Sequence, residues 1–157
     1  MRDPLFPEEQ GIFFHQESTI PELPAEEALI GWIENILYQE GKRLQAIYYV
    51  FIPDSALLEI NQTYLKHDTL TDIITFPYKS DPVEAEIYIS AERVRANAAA
   101  FRVPVLQEFL RVIAHGVLHL CGWDDHTDHG KRLMRLRENA CLALFGIQPD
   151  GYSISPV

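Results

Sequence analysis

Cysteine is scarce in this chain. Cys121 and Cys141 are the only two in 157 residues, and they form no C-x-x-C pair. That excludes a zinc knuckle and a dithiol redox motif, and predicts two buried, reduced thiols. Long apolar runs are missing as well, and none approaches the roughly 20 residues that span a bilayer. The opening MRDPLFPEEQ is charged and broken by proline where a secretory signal carries an apolar segment. Together these absences predict a cytoplasmic protein with no membrane partner. Basic residues are also in deficit, with 13 Lys and Arg against 23 Asp and Glu and a formal net charge of −10. Taken whole, that balance speaks against a nucleic-acid surface.

The distribution of charge says something different. Residues 93–137 hold eight of the 13 basic residues and only four acidic ones, so this window is positive and the remainder strongly negative. Such asymmetry would steer an anionic substrate to one side of the molecule. The alternative is that these arginines are solvated helix faces. At 157 residues, 47% hydrophobic and 23% charged, the chain has the size and composition of one ordinary globular domain. No repeat, linker or low-complexity tract divides it. A single domain over 1–157 is therefore expected, with its core at about 10–146 and a loose tail from Gln148.

Hydrophobic periodicity supplies the elements. Ile12 to His15 reads as a short strand. Leu29, Ile30, Trp32, Ile33, Ile36 and Leu37 recur at helical spacing from about Ala25 to Gln39. The unbroken AIYYVFI, Ala46 to Ile52, reads as a strand covered on both faces. Ser55 is placed to cap a helix running to about Tyr64. Asp72 to Tyr78 and Glu84 to Ser90 read as a hairpin turning at Ser80 to Pro82. Thereafter the chain is helical: Ala91 to Phe101, a long helix opened by Pro104 with Leu106, Phe109, Leu110, Ile113 and Val117 in the core, and a last helix at about Gly130 to Phe145. That last helix is expected to bury Leu133, Met134, Ala140, Cys141 and Leu144. The sum is an α+β fold, a small mixed four-stranded sheet packed with about five helices.

The densest chemistry is HGVLHLCGWDDHTDH, His115 to His129. Four helical residues return a side chain to nearly the same azimuth, so His115 and His119 project from one face and can chelate one ion. Gly122 offers a helix stop, after which either Asp125 or His126 can reach that ion. A buried polar network is the bland alternative. Gly116, costing about 1 kcal/mol relative to alanine inside a helix, predicts the close approach of another backbone or a substrate. Zinc proteases of this spacing carry glutamate at the position of Gly116, so peptide hydrolysis by that route is disfavoured. Three protein ligands would leave a fourth position for water, as in catalytic rather than structural zinc sites. Asp124 is placed to orient that water or move protons.

Three segments resemble the YbeY family of metal-dependent endoribonucleases. HGVLHLCG (His115 to Gly122) is similar to the family's HGxLHLxG, HDTLTDIITFPY (His67 to Tyr78) to its K-D-x-x-T-D-V-L-S-F-P, and EIYISAERVRANA (Glu86 to Ala98) to its strand-then-helix segment. The resemblance covers about residues 10–146. It implies one zinc-like divalent ion, a single-stranded RNA or ribosomal RNA precursor as substrate, and the ribosomal subunit as partner. Its third ligand stands ten residues after the first histidine, which selects Asp125 over His126. His126 then becomes a proton-transfer or supporting residue, or a solvent-exposed turn histidine with no role. Where the family carries an arginine after Asn-x-x-aromatic, this chain has Leu65, with Lys66 and His67 beside it as replacement cations. Arg93, Arg95 and Arg111 are the expected phosphate contacts. The rivals are a ribosome-assembly factor with a structural metal, and a metallohydrolase of another substrate class.

Overall fold

The structure, a computed structural model, describes residues 10–17, 19–66 and 71–149. His67 and the tail beyond residue 149 lie outside the described residues. In chain order the elements are β1 (Gly11–Gln16), α1 (Glu26–Gln39), β2 (Leu44–Ile52), α2 (Asp54–Leu65), β3 (Ile73–Ser80), β4 (Val83–Ser90), α3 (Ala91–Phe101), α4 (Val105–Leu120) and α5 (Asp128–Leu144). The strands form one mixed sheet in the order β1-β2-β4-β3. β1 and β4 run parallel to β2, while β3 returns antiparallel to β4. The hairpin turns at a cis Asp81–Pro82 bond.

β2 is apolar throughout because both of its faces are covered. Ile47, Tyr49 and Phe51 enter the larger core with side chains of α1, α4 and α5, while Val50 and Ile52 meet Leu57 of α2 in a smaller one. The α+β expectation thus holds, with α2 on one side of the sheet and the site-bearing helices on the other. No helix among the described residues is long and apolar enough to cross a membrane.

Three local expectations are corrected. Ser55 lies inside α2, whose cap position is Pro53. The free N–H of Asp54 is met instead by the Glu92 carboxylate at 2.8 Å. Leu106 is only half-buried, on the edge of the core. The buried face of α5 is rotated from the one expected: Leu133 and Leu144 are 37% and 45% exposed and Ala140 is exposed, while Met134, Glu138, Cys141 and Leu142 point inward. An ion-pair partner on α4 draws Glu138 inside, and apolar periodicity is blind to that.

Candidate metal centre

α4 is buried along most of its length, and its apolar residues make it the helix most deeply packed in the core. One stripe of it is polar. Glu108, Arg111, His115 and His119 follow one another at spacings of three and four, so they lie along one face. The helix ends where Gly122 takes φ +101°, in the left-handed region. Gly122 N–H donates to the His119 carbonyl at 3.0 Å and Trp123 N–H to the Leu118 carbonyl at 3.0 Å. This is the paired closure of a Schellman motif, which reverses the chain just after His119.

The loop that follows is anchored at its start. Trp123 Nε1 donates to Glu40 Oε1 at 2.7 Å, Arg137 donates to the other Glu40 oxygen, and the Arg137 guanidinium lies over the Trp123 ring at 5.1 Å. At the far end Thr127 caps α5 by accepting from Gly130 N–H at 2.9 Å. Gly130 has no room for a side chain, since a Cβ there would fall 2.9 Å from the Asp124 carbonyl. The span between these anchors brings Asp125 back over the two histidines.

His115 Nε2 stands 3.5 Å from Asp125 Oδ2, and His119 Nε2 stands 3.6 Å from Asp125 Oδ1. One donor atom from each of the three residues fits within 4.8 Å of the others. Ligands at about 2.05 Å on tetrahedral axes are separated by about 3.3 Å; the two histidine-to-carboxylate distances, each to a different Asp125 oxygen, lie close to that, so the three residues could hold a metal ion. The imidazoles meet edge to face, centroids 4.6 Å apart.

Behind them stands Glu138. Its Oε2 lies 2.7 Å from His115 Nδ1, while its Oε1 accepts from Arg111 Nη1 at 2.9 Å. Arg111 also donates to Asn139 Oδ1 at 2.8 Å. A carboxylate on Nδ1 fixes the tautomer that leaves Nε2 open toward Asp125, the usual support of a metal-binding histidine. Burial pulls the His115 pKa down, but the bond and charge of Glu138, aided by Asp125 and Asp72, outweigh it and raise it overall. His119 goes the other way, lowered by burial and then by His115.

These groups line a cavity of about 600 Å³, with Asp72, Asn97, Glu108, Lys131 and Arg135 among its other polar walls. Burial raises the Asp72 carboxyl, partly opposed by its own backbone N–H. Burial, reinforced by Asp72, raises Glu108 to about 7. Both thiols are free; burial pushes Cys121 to about 11 and Cys141 to about 12, so neither is a thiolate nucleophile.

The other sequence-derived residues are spread differently. Asp124 and His126 are exposed and outside the cavity lining, joined by a hydrogen bond from His126 N–H to Asp124 Oδ1 at 3.3 Å. Lys66 is exposed at the left-handed end of α2, and the cavity is lined there by Leu65. Arg93 pairs with Asp54 at 2.6 Å and Arg95 with Glu22 at 2.6 Å. With Arg111 and Arg137, four arginines of the basic window are matched to acids, all four of those acids lying outside that window. Much of the charge asymmetry is thereby spent inside the fold. Gly116 faces the sheet, where a Cβ would lie 2.9 Å from Ile73 Cδ1. Side chains of β3 and β4 approach there, not a backbone or a substrate.

Sequence reasoning passed over Asp72, Glu108 and Glu138. Glu108 carried a usable signal, its place on the His115 stripe of an otherwise apolar helix.

A family model described as Endoribonuclease YbeY matches residues 12–146 of the chain. An endoribonuclease YbeY of Flavobacterium psychrophilum is 47% identical over 130 residues, covering 82% of this chain and 93% of its own length. Another, from Phocaeicola vulgatus, is 43% identical over 118 residues, 74% of this chain and 86% of that protein. Among solved structures, TM1509 from Thermotoga maritima, determined in solution, matches with a TM-score of 0.61 at 26% identity, over 85% of this chain and 88% of that one.

Proposed function

The chain belongs to the YbeY family of endoribonucleases, and from that premise we propose that it cuts single-stranded RNA in ribosomal RNA maturation with a zinc ion held by His115, His119 and Asp125. The observation that carries this reading is the convergence of three donor atoms with Glu138 behind one of them. Two imidazoles and a carboxylate are a donor set suited to zinc. When bound, such an ion supplies Lewis-acid chemistry, polarising a phosphoryl oxygen and acidifying water.

The protein's own groups do the rest. Glu138 holds His115 in one tautomer, and Arg111 holds the Glu138 side chain in place. Asp125 lowers the net charge of the site by one unit relative to a third histidine. Glu108, with a pKa of about 7, exchanges protons with the cavity near neutrality, as general acid–base chemistry requires. Asp124 and His126 shape the turn that delivers Asp125.

Metal analysis paired with cleavage of single-stranded RNA, with casein as control substrate, tests the assignment. His115→Ala and His119→Ala should each lose the metal and the cleavage. Asp125→Ala should lose metal where His126→Ala keeps it, and the reverse pattern would move the third ligand to His126. Chelation should stop cleavage while the far-ultraviolet circular dichroism of the fold persists; collapse of the fold would favour a structural metal. A full equivalent of metal in both histidine variants would remove the site.

A further inference from the structure

The cavity is bordered by two kinds of side chain. α3 and α5 both pack on α4, whose polar stripe lies between them. From the ends of α2 and α3 come Leu65 and Phe101, which are 41% and 59% exposed. From the first turns of α5 come Lys131 and Arg135, both exposed. Phe101 is unusual within this chain. Every other phenylalanine among the described residues meets a second aromatic ring, namely Phe13, Phe14, Phe51, Phe76, Phe109 and Phe145. Among the described residues Phe101 alone has no ring partner, and it stands at the edge of a strongly charged cavity.

The charges there respond to metal. The lining carries Asp72, Glu108, Asp125 and Glu138 against Arg111, Lys131 and Arg135, so it is net negative by formal charge. One divalent ion turns it net positive. A ligand that suits this border offers a flat apolar face and an anion on one strand, and its entry is favoured when the ion is bound. Base-paired RNA hides its base faces in the stack, whereas an unpaired strand exposes them. Aromatic platforms beside basic groups are how single strands are gripped without sequence preference, because every base has a π-face.

We propose that Phe101 stacks a nucleobase of single-stranded RNA beside the phosphodiester being cut, with Leu65 packing at the same border and Lys131 and Arg135 holding flanking phosphates. This deepens the endoribonuclease reading and rests on it. The subsite makes the enzyme selective for unpaired strands and indifferent to which base is bound, and it makes RNA affinity depend on the loaded ion.

The test uses zinc-loaded protein and a labelled, nuclease-resistant 2′-O-methyl oligouridylate, with an abasic strand of equal length as probe of the stacking. Phe101→Ala should weaken binding of the oligouridylate by roughly tenfold, the loss of one stacked base. It should leave the abasic strand, the salt slope and the melting temperature unchanged, since the ring is exposed. Phe101→Trp should restore or tighten binding. Lys131→Ala with Arg135→Ala should instead flatten the fall of affinity with salt. Equal affinity of Phe101→Ala and the parent overturns the subsite while leaving the nuclease assignment standing. Failure of the zinc-loaded parent to bind or cut any RNA overturns both.

Discussion

Toward the sheet, α4 presents Phe109, Ile113, Gly116 and Val117; toward the cavity it presents Glu108, Arg111, His115 and His119. The first set is packed closely enough that a methyl group on Gly116 would have to push aside the Cδ1 ends of Ile73 and Ile87, 2.9 and 3.2 Å away. The second set buries Arg111 and Glu108 to nearly the same degree, yet gains little from doing so. Fully burying an aliphatic or aromatic side chain contributes about 1.5–3 kcal/mol. A buried ion pair gives back roughly what its desolvation costs, although breaking one is expensive. The sheet side therefore holds the helix in place, and the cavity side uses that rigidity to aim charges that would not stabilise the fold by themselves.

Variants on the two sides should separate along that line. The largest effect is expected at Glu138, whose removal leaves Arg111 buried without its carboxylate and His115 without its orienting partner. Glu138→Ala should lose about 3–5 kcal/mol in chelated protein and bind zinc about 10–100-fold more weakly, by urea unfolding and zinc titration. A stability loss with unchanged zinc affinity would place Glu138 with the packing residues and break the contrast.

Next is Glu108, whose folded pKa of about 7 stands above its ordinary 4.5. A carboxyl raised in this way contributes stability that is fully present below pH 4.5 and is lost as pH rises through about 7. Glu108→Gln removes that dependence. In chelated protein it should be more stable than the parent at pH 8 by about 2 kcal/mol, less than the full shift implies because the cavity admits water. The difference should shrink toward zero by pH 4.5, and parallel pH profiles would refute it.

On the sheet side, Gly116→Ala should leave stability within about 1 kcal/mol of the parent, because the shift it forces on the Ile73 and Ile87 side-chain ends offsets the gain in helix propensity. Zinc affinity should not move, although the substitution adjoins a ligand. The smallest effect belongs to Arg95→Ala. Its partly exposed pair with Glu22 should be worth a few tenths of a kcal/mol by thermal melting, and RNA affinity should be unchanged because that guanidinium is already engaged.

What the sequence made legible follows the range of the interactions. β2 could be read because seven consecutive apolar residues need no knowledge of their neighbours. α4 and its stop at Gly122 were equally local, and His115, His119 and Asp125 converge because their spacing within one helix and one turn brings them together. Glu138 was hidden: it is 23 residues from His115, on a helix whose polar positions mostly face water, and only the packing of α5 on α4 turns it inward. The same ion pair explains why the apolar face of α5 was misread by a fraction of a turn. Asp72 lies within a segment whose resemblance was noted, but nothing local marks it as a buried carboxyl. The pairing of the arginines was hidden in the same way, since their partners Asp54, Glu22 and Glu40 lie far away in the acidic part of the chain.

The anchoring of the loop through Trp123 has a consequence for the order of events during synthesis. Its partner Glu40 lies 83 residues earlier, and the carboxylate that orients His115 comes 23 residues later. A chain emerging N-terminus first exposes both histidines before α5 exists to hold either the loop or the ring. The cutting site is thus unfinished until α5 has emerged and packed on α4, and what the two histidines face before then is open solvent rather than Glu138.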